Sequence, residues 1–233
     1  MAEAVKRRYD NSRRLAQVRA TRLRVIEAAR SLFIEHGYPA TTLETVADTA
    51  DVALPTLYRL FGSKRALLKA VLDTSFGGDD EPIAFGDRPE QQQARAEPDP
   101  ASQVRAFARI CRLFMERSSE MFHVLSTAAQ VDPEIAELQS DIRRQRHTGQ
   151  AGIVAAIAGR DALDPELSLA EAEDIAYAAL SPEVHRILTV ERGWTADQYE
   201  RWLARVLSSL LRPSDQRLLP HVKAGDAAAD DHP

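Results

Sequence analysis

Histidine and cysteine, the residues most able to bind metals or act as nucleophiles, are few and scattered in this sequence. It has six histidines and one cysteine, Cys111, in 233 residues. The histidines form no HxxxH or HExxH pair, and neither a nucleophile elbow nor a glycine-rich phosphate loop is present. A single cysteine excludes an internal disulfide and a CxxC redox pair. We therefore expect no metal, no cofactor and no catalytic site.

Basic side chains are the other chemical resource, and they are concentrated at one end of the chain. Residues 1–70 hold 13 Lys and Arg against 7 Asp and Glu, a net charge of +6, whereas residues 71–233 hold 17 against 28, a net charge of −11. If these charges were ordinary surface charge, their unequal division between the two parts of the chain would be a coincidence. A basic head on an acidic body instead predicts that the head binds a polyanion.

Helices are the elements predicted to position these charges. Residues 1–18, with five basic side chains among polar neighbours, predict a flexible basic arm. From about residue 19 to 36, apolar residues recur at helical spacing, namely Val25, Ala29, Leu32 and Phe33. Gly37 favours a left-handed cap there, and Pro39 prevents continuation. The first helix should therefore end at Gly37.

Two short helices and a longer one are predicted next. Thr41 and Glu44 fit a capping box, which predicts a second helix over about 42–50. A third helix is expected over 54–60, with Pro55 in its first turn. Gly62 and Ser63 then break the chain before a fourth helix over 64–76. The second and third helices have the length of a helix-turn-helix, over about 42–61, with a turn at residues 50–53.

The head as a whole, residues 19–76, is therefore predicted to be a three-helix helix-turn-helix domain. Residues 20–76 resemble the DNA-binding domain of the TetR family of repressors. The segment LPTLYRLFGSKRALL, residues 54–68, is the most specific part, and its signature positions are Thr56, Leu57, Tyr58, Phe61, Lys64 and Leu67. Three positions depart from the family's usual residues. Asp51 stands where the family usually has Gly, Ala53 where it often has Ser or Thr, and Leu60 where it often has His.

The resemblance implies roles that the chemistry of the side chains also supports. Thr42, Tyr58 and Lys64 are expected on phosphates, and Leu54 and Pro55 on thymine methyl groups. Arg59 is expected on a guanine or a phosphate, and Arg13, Arg14 and Arg19 along the backbone or in the minor groove. The complete set of expected DNA contacts is Arg13, Arg14, Arg19, Thr42, Leu54, Pro55, Thr56, Tyr58, Arg59 and Lys64.

A larger helical body is predicted over residues 101–212, between a flexible linker at 77–100 and a disordered tail at 213–233. Helices are expected over 133–158, 168–180, 182–192 and 195–211, the last opened by a Thr195–Gln198 capping box. The resemblance implies that the last two helices pair with their copies in a homodimer. The interface candidates are Trp202, Leu203, Val206 and Leu210, with intrachain core as the alternative.

A small-molecule effector is expected to bind between the body helices, in a pocket that is mostly apolar with a few polar groups. The lining candidates are Phe107, Cys111, Phe114, Phe122, His123, Tyr177 and His185, each of which has simple core as its alternative. The spacing of these residues does not distinguish a pocket from a core.

The expected protein is thus all-α and cytoplasmic, with double-stranded DNA, an effector and a second copy of itself as partners. The sequence has no secretory signal and no apolar run of membrane-spanning length. The predicted function is ligand-controlled repression from a palindromic operator. Activation is the alternative within the family, and an all-helical enzyme with an anion-binding head or a non-specific DNA-binding protein are the alternatives outside it.

Overall fold

The all-α class is confirmed by a computed structural model, which describes residues 2–213 apart from 80, 82 and 84, with side chains from residue 14 onward. The described residues form helices and no strand. The helices are α1 (Ala2–Ala40), α2 (Leu43–Thr49), α3 (Leu54–Phe61), α4 (Lys64–Gly77), α5 (Pro89–Ala96), α6 (Pro100–Ala128), α7 (Pro133–Ala158), α8 (Leu169–Ala179), α9 (Pro182–Arg186) and α10 (Ala196–Ser208). A 3₁₀ turn (Phe85–Asp87) precedes α5, and a π-helical turn (Ile187–Glu191) follows α9.

The head consists of α1 to α4 around a small apolar core. The fully buried residues of this core include Val25 and Phe33 of α1, Val46 of α2, Leu57 of α3 and Leu67 of α4. The helical spacing of these residues places one apolar face of each helix inward. Gly37 has φ 78° and ψ 161° and interrupts α1 where the sequence predicted its end.

The flexible arm expected at residues 1–18 is wrong as a description of the backbone, because α1 is helical from Ala2 onward. No glycine or proline occurs between Ala2 and His36. Alanine and arginine, the most frequent residues in this segment, are both good helix formers. A helix whose later turns are held by the head core therefore continues toward the N-terminus.

The flexible linker expected at residues 77–100 is also wrong, since this segment contains the 3₁₀ turn and α5. Arg88 is 7% exposed and donates two hydrogen bonds to Asp79, at 2.8 and 2.9 Å. Gln91 and Ala94 are buried on one face of α5, and the Asp79 carboxylate also accepts a hydrogen bond from the backbone N–H of Glu81. These tertiary contacts stabilise a segment whose composition is typical of a loop.

Helix α6 connects the head to the body. Residues Met121 to Ala128 at its C-terminal end contribute to the head core, and its N-terminal half contributes Val104 and Phe107 to the body core. It contacts α1, α4, α5, α7, α9 and α10. The predicted bounds of α7 and the Thr195–Gln198 capping box of α10 are confirmed. The expected tail, apart from Pro213, lies outside the described residues.

Candidate nucleic-acid interface and ligand cavity

Helix α3 has one buried and one exposed face. Leu57 is fully buried and Phe61 is 9% exposed, so both are held in the head core. Pro55, Tyr58 and Arg59 are exposed on the other face, and Tyr58 has 47% of its surface accessible. The exposed face of this short helix therefore presents the Pro55 ring, the Tyr58 phenol and the Arg59 guanidinium to solvent.

Leu54 and Thr56, also expected on DNA, are half-buried, and Leu54 packs against the head core. The expectation that Leu54 faces bases is therefore weakened, while Pro55 remains accessible. Asp51 has φ 52°, a left-handed conformation that Asp tolerates better than most residues. Ala53 caps α3 without a side-chain hydrogen bond, as its lack of a hydroxyl requires.

The cap of α2 differs from the predicted capping box by one residue. The N-cap is Thr42, whose hydroxyl oxygen accepts a hydrogen bond from the backbone N–H of Thr45 at 3.1 Å. Thr41 is buried, and its hydroxyl lies within hydrogen-bonding distance of the carbonyl oxygens of Leu32 and Gly37. The sequence did not single out Thr45, whose exposed hydroxyl lies 3.0 Å from that of Thr42. Two neighbouring hydroxyls are therefore available at the start of α2.

Lys64 is held next to the junction of α1 and α2. Its ammonium lies 4.3 Å from the centroid of the Tyr38 ring and 3.3 Å from the carbonyl oxygen of Pro39, to which it donates. Partial burial lowers the pKa of Lys64, and burial raises the pKa of Tyr38 to about 12. Tyr38 was not predicted to matter. It orients the Lys64 cation by a cation–π contact.

The basic residues of α1 are placed differently from one another. Arg14 is exposed, and Arg19 forms an ion pair of 2.5 Å with Glu81, which lies just after α4. The side chain of Arg13 lies outside the described residues. Arg19 is therefore engaged with the segment that leads into the body.

A cavity of about 340 Å³ lies between α4, α5, α6 and α7. Two predicted lining residues, Cys111 and Phe114, line it. The other lining residues were not predicted: Phe76, Phe85, Gly86, Gln91, Arg95, Met115, Ile142, Gln145, Arg146, Gly149, Gln150, Ile153 and Leu180. Burial raises the pKa of the Cys111 thiol to about 12, so this group is neutral and acts as apolar lining.

The remaining pocket candidates lie elsewhere. Phe107 is fully buried in the body core, and Phe122 stacks on Phe76 at 4.8 Å. Phe122 and the exposed His123 line a separate cavity of about 80 Å³. Tyr177 packs against His147, with ring centroids 5.5 Å apart. His185 is buried edge-on to Tyr199, which makes core the correct alternative for His185 and Phe107.

Arg146 is the main feature that the sequence analysis missed. It lies on the same face of α7 as Ile142, Gly149 and Ile153, all of which line the larger cavity. A charged residue within an otherwise apolar stripe was the available signal. Its guanidinium lies 5.2 Å from the Tyr177 ring and 5.5 Å from the Phe122 ring, and it donates to the carbonyl oxygen of Leu180 at 3.2 Å.

The interface candidates divide into two pairs. Leu203 and Leu210 are fully buried within the chain, so their assignment to a dimer interface is corrected to intrachain core. Trp202 and Val206 are half-buried on α10. The π-helical turn before α10 exposes Ile187 and Val190, which are 46% and 62% accessible and were not predicted. No helix in the described part of the chain is long and apolar enough to cross a membrane.

Comparison with known proteins separates the head from the body. The family model described as "Bacterial regulatory proteins, tetR family" matches residues 25–71. The repressor KstR of Mycobacterium tuberculosis is 43% identical over 58 residues, which are 25% of this chain and 26% of KstR. The match thus spans about a quarter of the length of this curated relative.

Solved structures match over most of the chain at low identity. NalD of Pseudomonas aeruginosa, a repressor of a multidrug efflux pump, has a TM-score of 0.60 and 19% identity over 84% of this chain and 98% of NalD. The SmeT–triclosan complex has a TM-score of 0.62 and 16% identity over 87% of this chain and 96% of SmeT. These likenesses establish a shared fold for head and body.

Proposed function

Since this chain belongs, through its head, to the tetR family of bacterial regulatory proteins, we propose that it is a sequence-specific repressor of transcription that a small molecule releases from DNA. The exposed face of α3 carries the proposal. Pro55, Tyr58 and Arg59 lie together on the helix that a helix-turn-helix inserts into the major groove. Thr42 and Lys64 lie on the adjoining helices, where a hydroxyl and an ammonium bind phosphates.

Helix α4 provides a physical link between DNA and effector. Lys64 is its first residue, and Phe76, near its end, lines the cavity and stacks on Phe122. The two are separated by about 18 Å along the helix, at 1.5 Å per residue. A ligand that displaces Phe76 would tilt α4 and so move Lys64 and the adjoining α3. Such a ligand must bind the released state more tightly than the DNA-bound state.

A dimer is required to place two copies of α3 one helical turn of DNA apart. We assign the self-complementary surface to Ile187, Val190, Trp202 and Val206, which are exposed or half-buried apolar residues of the last two helical segments. Trp202→Glu with Val206→Glu should give a folded monomer, because two charges cannot be desolvated at an apolar interface. Sedimentation that still shows a dimer would move the interface elsewhere.

Selection of binding sites from randomised DNA tests the function directly. The unaltered protein should recover a palindrome. Arg59→Ala should relax the preference at one base pair of each half-site by about 1–3 kcal/mol if Arg59 reads a guanine. Tyr58→Phe should weaken all sequences alike, because a phosphate contact carries no base information. Recovery of random sequence by the unaltered protein would refute sequence-specific binding.

A further inference from the structure

The large cavity holds two cations that lack a carboxylate partner. Within residues 14–213, as far as they are described, no carboxylate oxygen lies within 4.0 Å of the guanidinium of Arg146 or Arg95. The Nε atoms of both side chains are buried and have no hydrogen-bond partner. Both residues are half-buried, and a buried N–H without a partner costs free energy, so two such guanidinium groups around one cavity favour an anionic occupant.

Arg146 has donors to spare for such an occupant. A guanidinium has five N–H donors, and the bond to the Leu180 carbonyl oxygen uses one of them. The rings of Tyr177 and Phe122 hold its position. Burial lowers the pKa of Arg146, because it disfavours the charged form of the guanidinium. A carboxylate in the cavity would provide the solvation that water gives to exposed guanidinium groups.

Arg95 approaches the cavity from α5, next to two glycines. Its terminal nitrogen would lie 3.3 Å from a Cβ placed on Gly86 and 3.5 Å from one placed on Gly152. Gln150 adds a buried amide oxygen without a partner. The cavity therefore offers two guanidinium groups as charged donors and, at Gln150, one neutral acceptor.

Apart from Gln91, Gln145 and Gln150, the rest of the cavity wall is apolar. Phe76, Phe85, Phe114, Met115 and Ile153 form much of its wall. A Cβ placed on Gly149 would find no atom within 4 Å, so the helix leaves space there. The volume of about 340 Å³ corresponds to roughly ten waters at ~30 Å³ each, which suits a ligand of similar size.

We propose that the effector is a small amphipathic acid, whose carboxylate binds Arg146, with Arg95 as the second donor, and whose apolar body fills the space beside Gly149. We make this inference on the basis of the proposed function, since it names the ligand class of the same cavity. Neutral analogues satisfy neither cation, and amines are repelled by both. Specificity for acids therefore follows from the two guanidinium groups.

Titration calorimetry of the full-length protein with matched ligands tests the proposal. Decanoate is compared with decanamide, which has the same shape without charge, and with decylammonium. 2-Naphthoate and 2-naphthamide repeat the comparison with a flat aromatic body and so distinguish the two kinds of acid. At least one acid should bind about tenfold or more tightly than its amide, because one hydrogen bond to a charged group contributes about that much to the affinity.

Three variants locate the carboxylate. Arg146→Gln should reduce acid binding to the level of the amide, whereas Arg143→Gln should leave the preference intact. Arg143 lies on the same helix and lines the small cavity rather than the large one. Gly149→Leu should abolish binding of acid and amide alike, because its side chain fills the cavity, and it stands in for Arg146→Gln if that variant does not fold.

The outcomes are distinct. Equal affinity for acid and amide, an acid preference that survives Arg146→Gln, unchanged acid binding by Gly149→Leu, or no binding of either acid at millimolar concentration would each overturn the proposal. The selection of DNA sites is independent of these titrations. A protein that selects a palindrome and ignores the acids keeps the proposed function and loses this ligand. A protein that prefers the acids and selects no DNA does the reverse.

Discussion

Replacement of Lys64 by methionine gives the sharpest test of the DNA surface. Methionine keeps an unbranched chain over the Tyr38 ring and removes the ammonium that lies 4.3 Å from it. Lys64 is half-buried beside the Pro39 carbonyl and is not itself part of the head core, which it touches at Tyr38. The substitution therefore removes one positive charge per head with little loss of packing.

The size of the effect follows from counterion release. Each phosphate contact contributes about 0.9 to the slope of log affinity against log salt, so a dimer that loses two contacts should show a slope shallower by about 1.8. Between about 50 and 200 mM salt, the affinity of the unaltered protein should therefore fall roughly tenfold further than the affinity of Lys64→Met.

Fluorescence anisotropy with the selected operator, measured over a salt series, provides the slope. Lys69→Met is the matched control, because Lys69 lies on the same helix and forms an exposed ion pair with Asp73. The control should retain the slope of the unaltered protein. An unchanged slope and affinity for Lys64→Met would remove Lys64 from the phosphate surface and refute its assignment.

Three further predictions concern stability. Gly149→Ala should raise the free energy of unfolding by about 0.5–1 kcal/mol, because its Cβ meets open space in a helix; a lower melting temperature would contradict the open cavity. Hydrogen bonds from Arg88 hold the pKa of Asp79 well below its usual range, so its contribution is complete above about pH 4 and is lost as pH falls through the lowered pKa. Asp79→Asn should therefore melt below the unaltered protein at neutral pH and converge with it in acid, and parallel curves would exclude the charge. Burial lowers the pKa of His185, so the folded state favours the neutral imidazole. The free energy of unfolding should therefore decrease as pH falls below about 6.5, the pKa of an unperturbed histidine. His185→Phe should lack this part of the acid sensitivity in thermal melts, and an identical pH profile would show that His185 does not titrate there.

The head was predictable because its elements are determined by local signals. Gly37 interrupts α1, Pro55 lies in the first turn of α3, and a signature of side chains follows Leu54 at positions that the family shares. The capping box of α10 was predicted for the same reason. Prediction failed for Thr41, which the sequence placed at a cap and whose buried hydroxyl instead lies within hydrogen-bonding distance of the Leu32 carbonyl oxygen. The local preferences of a threonine hydroxyl are the same at a helix cap and in this buried position, so the sequence does not distinguish the two.

The chain around the head was harder to predict. Composition suggested an arm and a linker, and both segments contain helices. In the linker, the ion pair of Arg88 with Asp79 and the buried face of α5 provide the stabilisation. Neither contact is visible as periodicity, since α5 has only eight residues and its partners lie in other segments.

The sequence by itself determined the helical class, the helix-turn-helix and the basic head, because these depend on turn residues, caps and charge that act within a few positions. The tertiary structure alone decided which apolar residues are core and which line a cavity. Phe107 and Phe114 lie seven positions apart on α6, yet one is fully buried and the other faces open space. In the same way, Leu203 is enclosed while Val206 stays partly accessible. Helical spacing selects a face of a helix, whereas the neighbours packed against that face determine whether it encloses a core, a cavity or a second subunit.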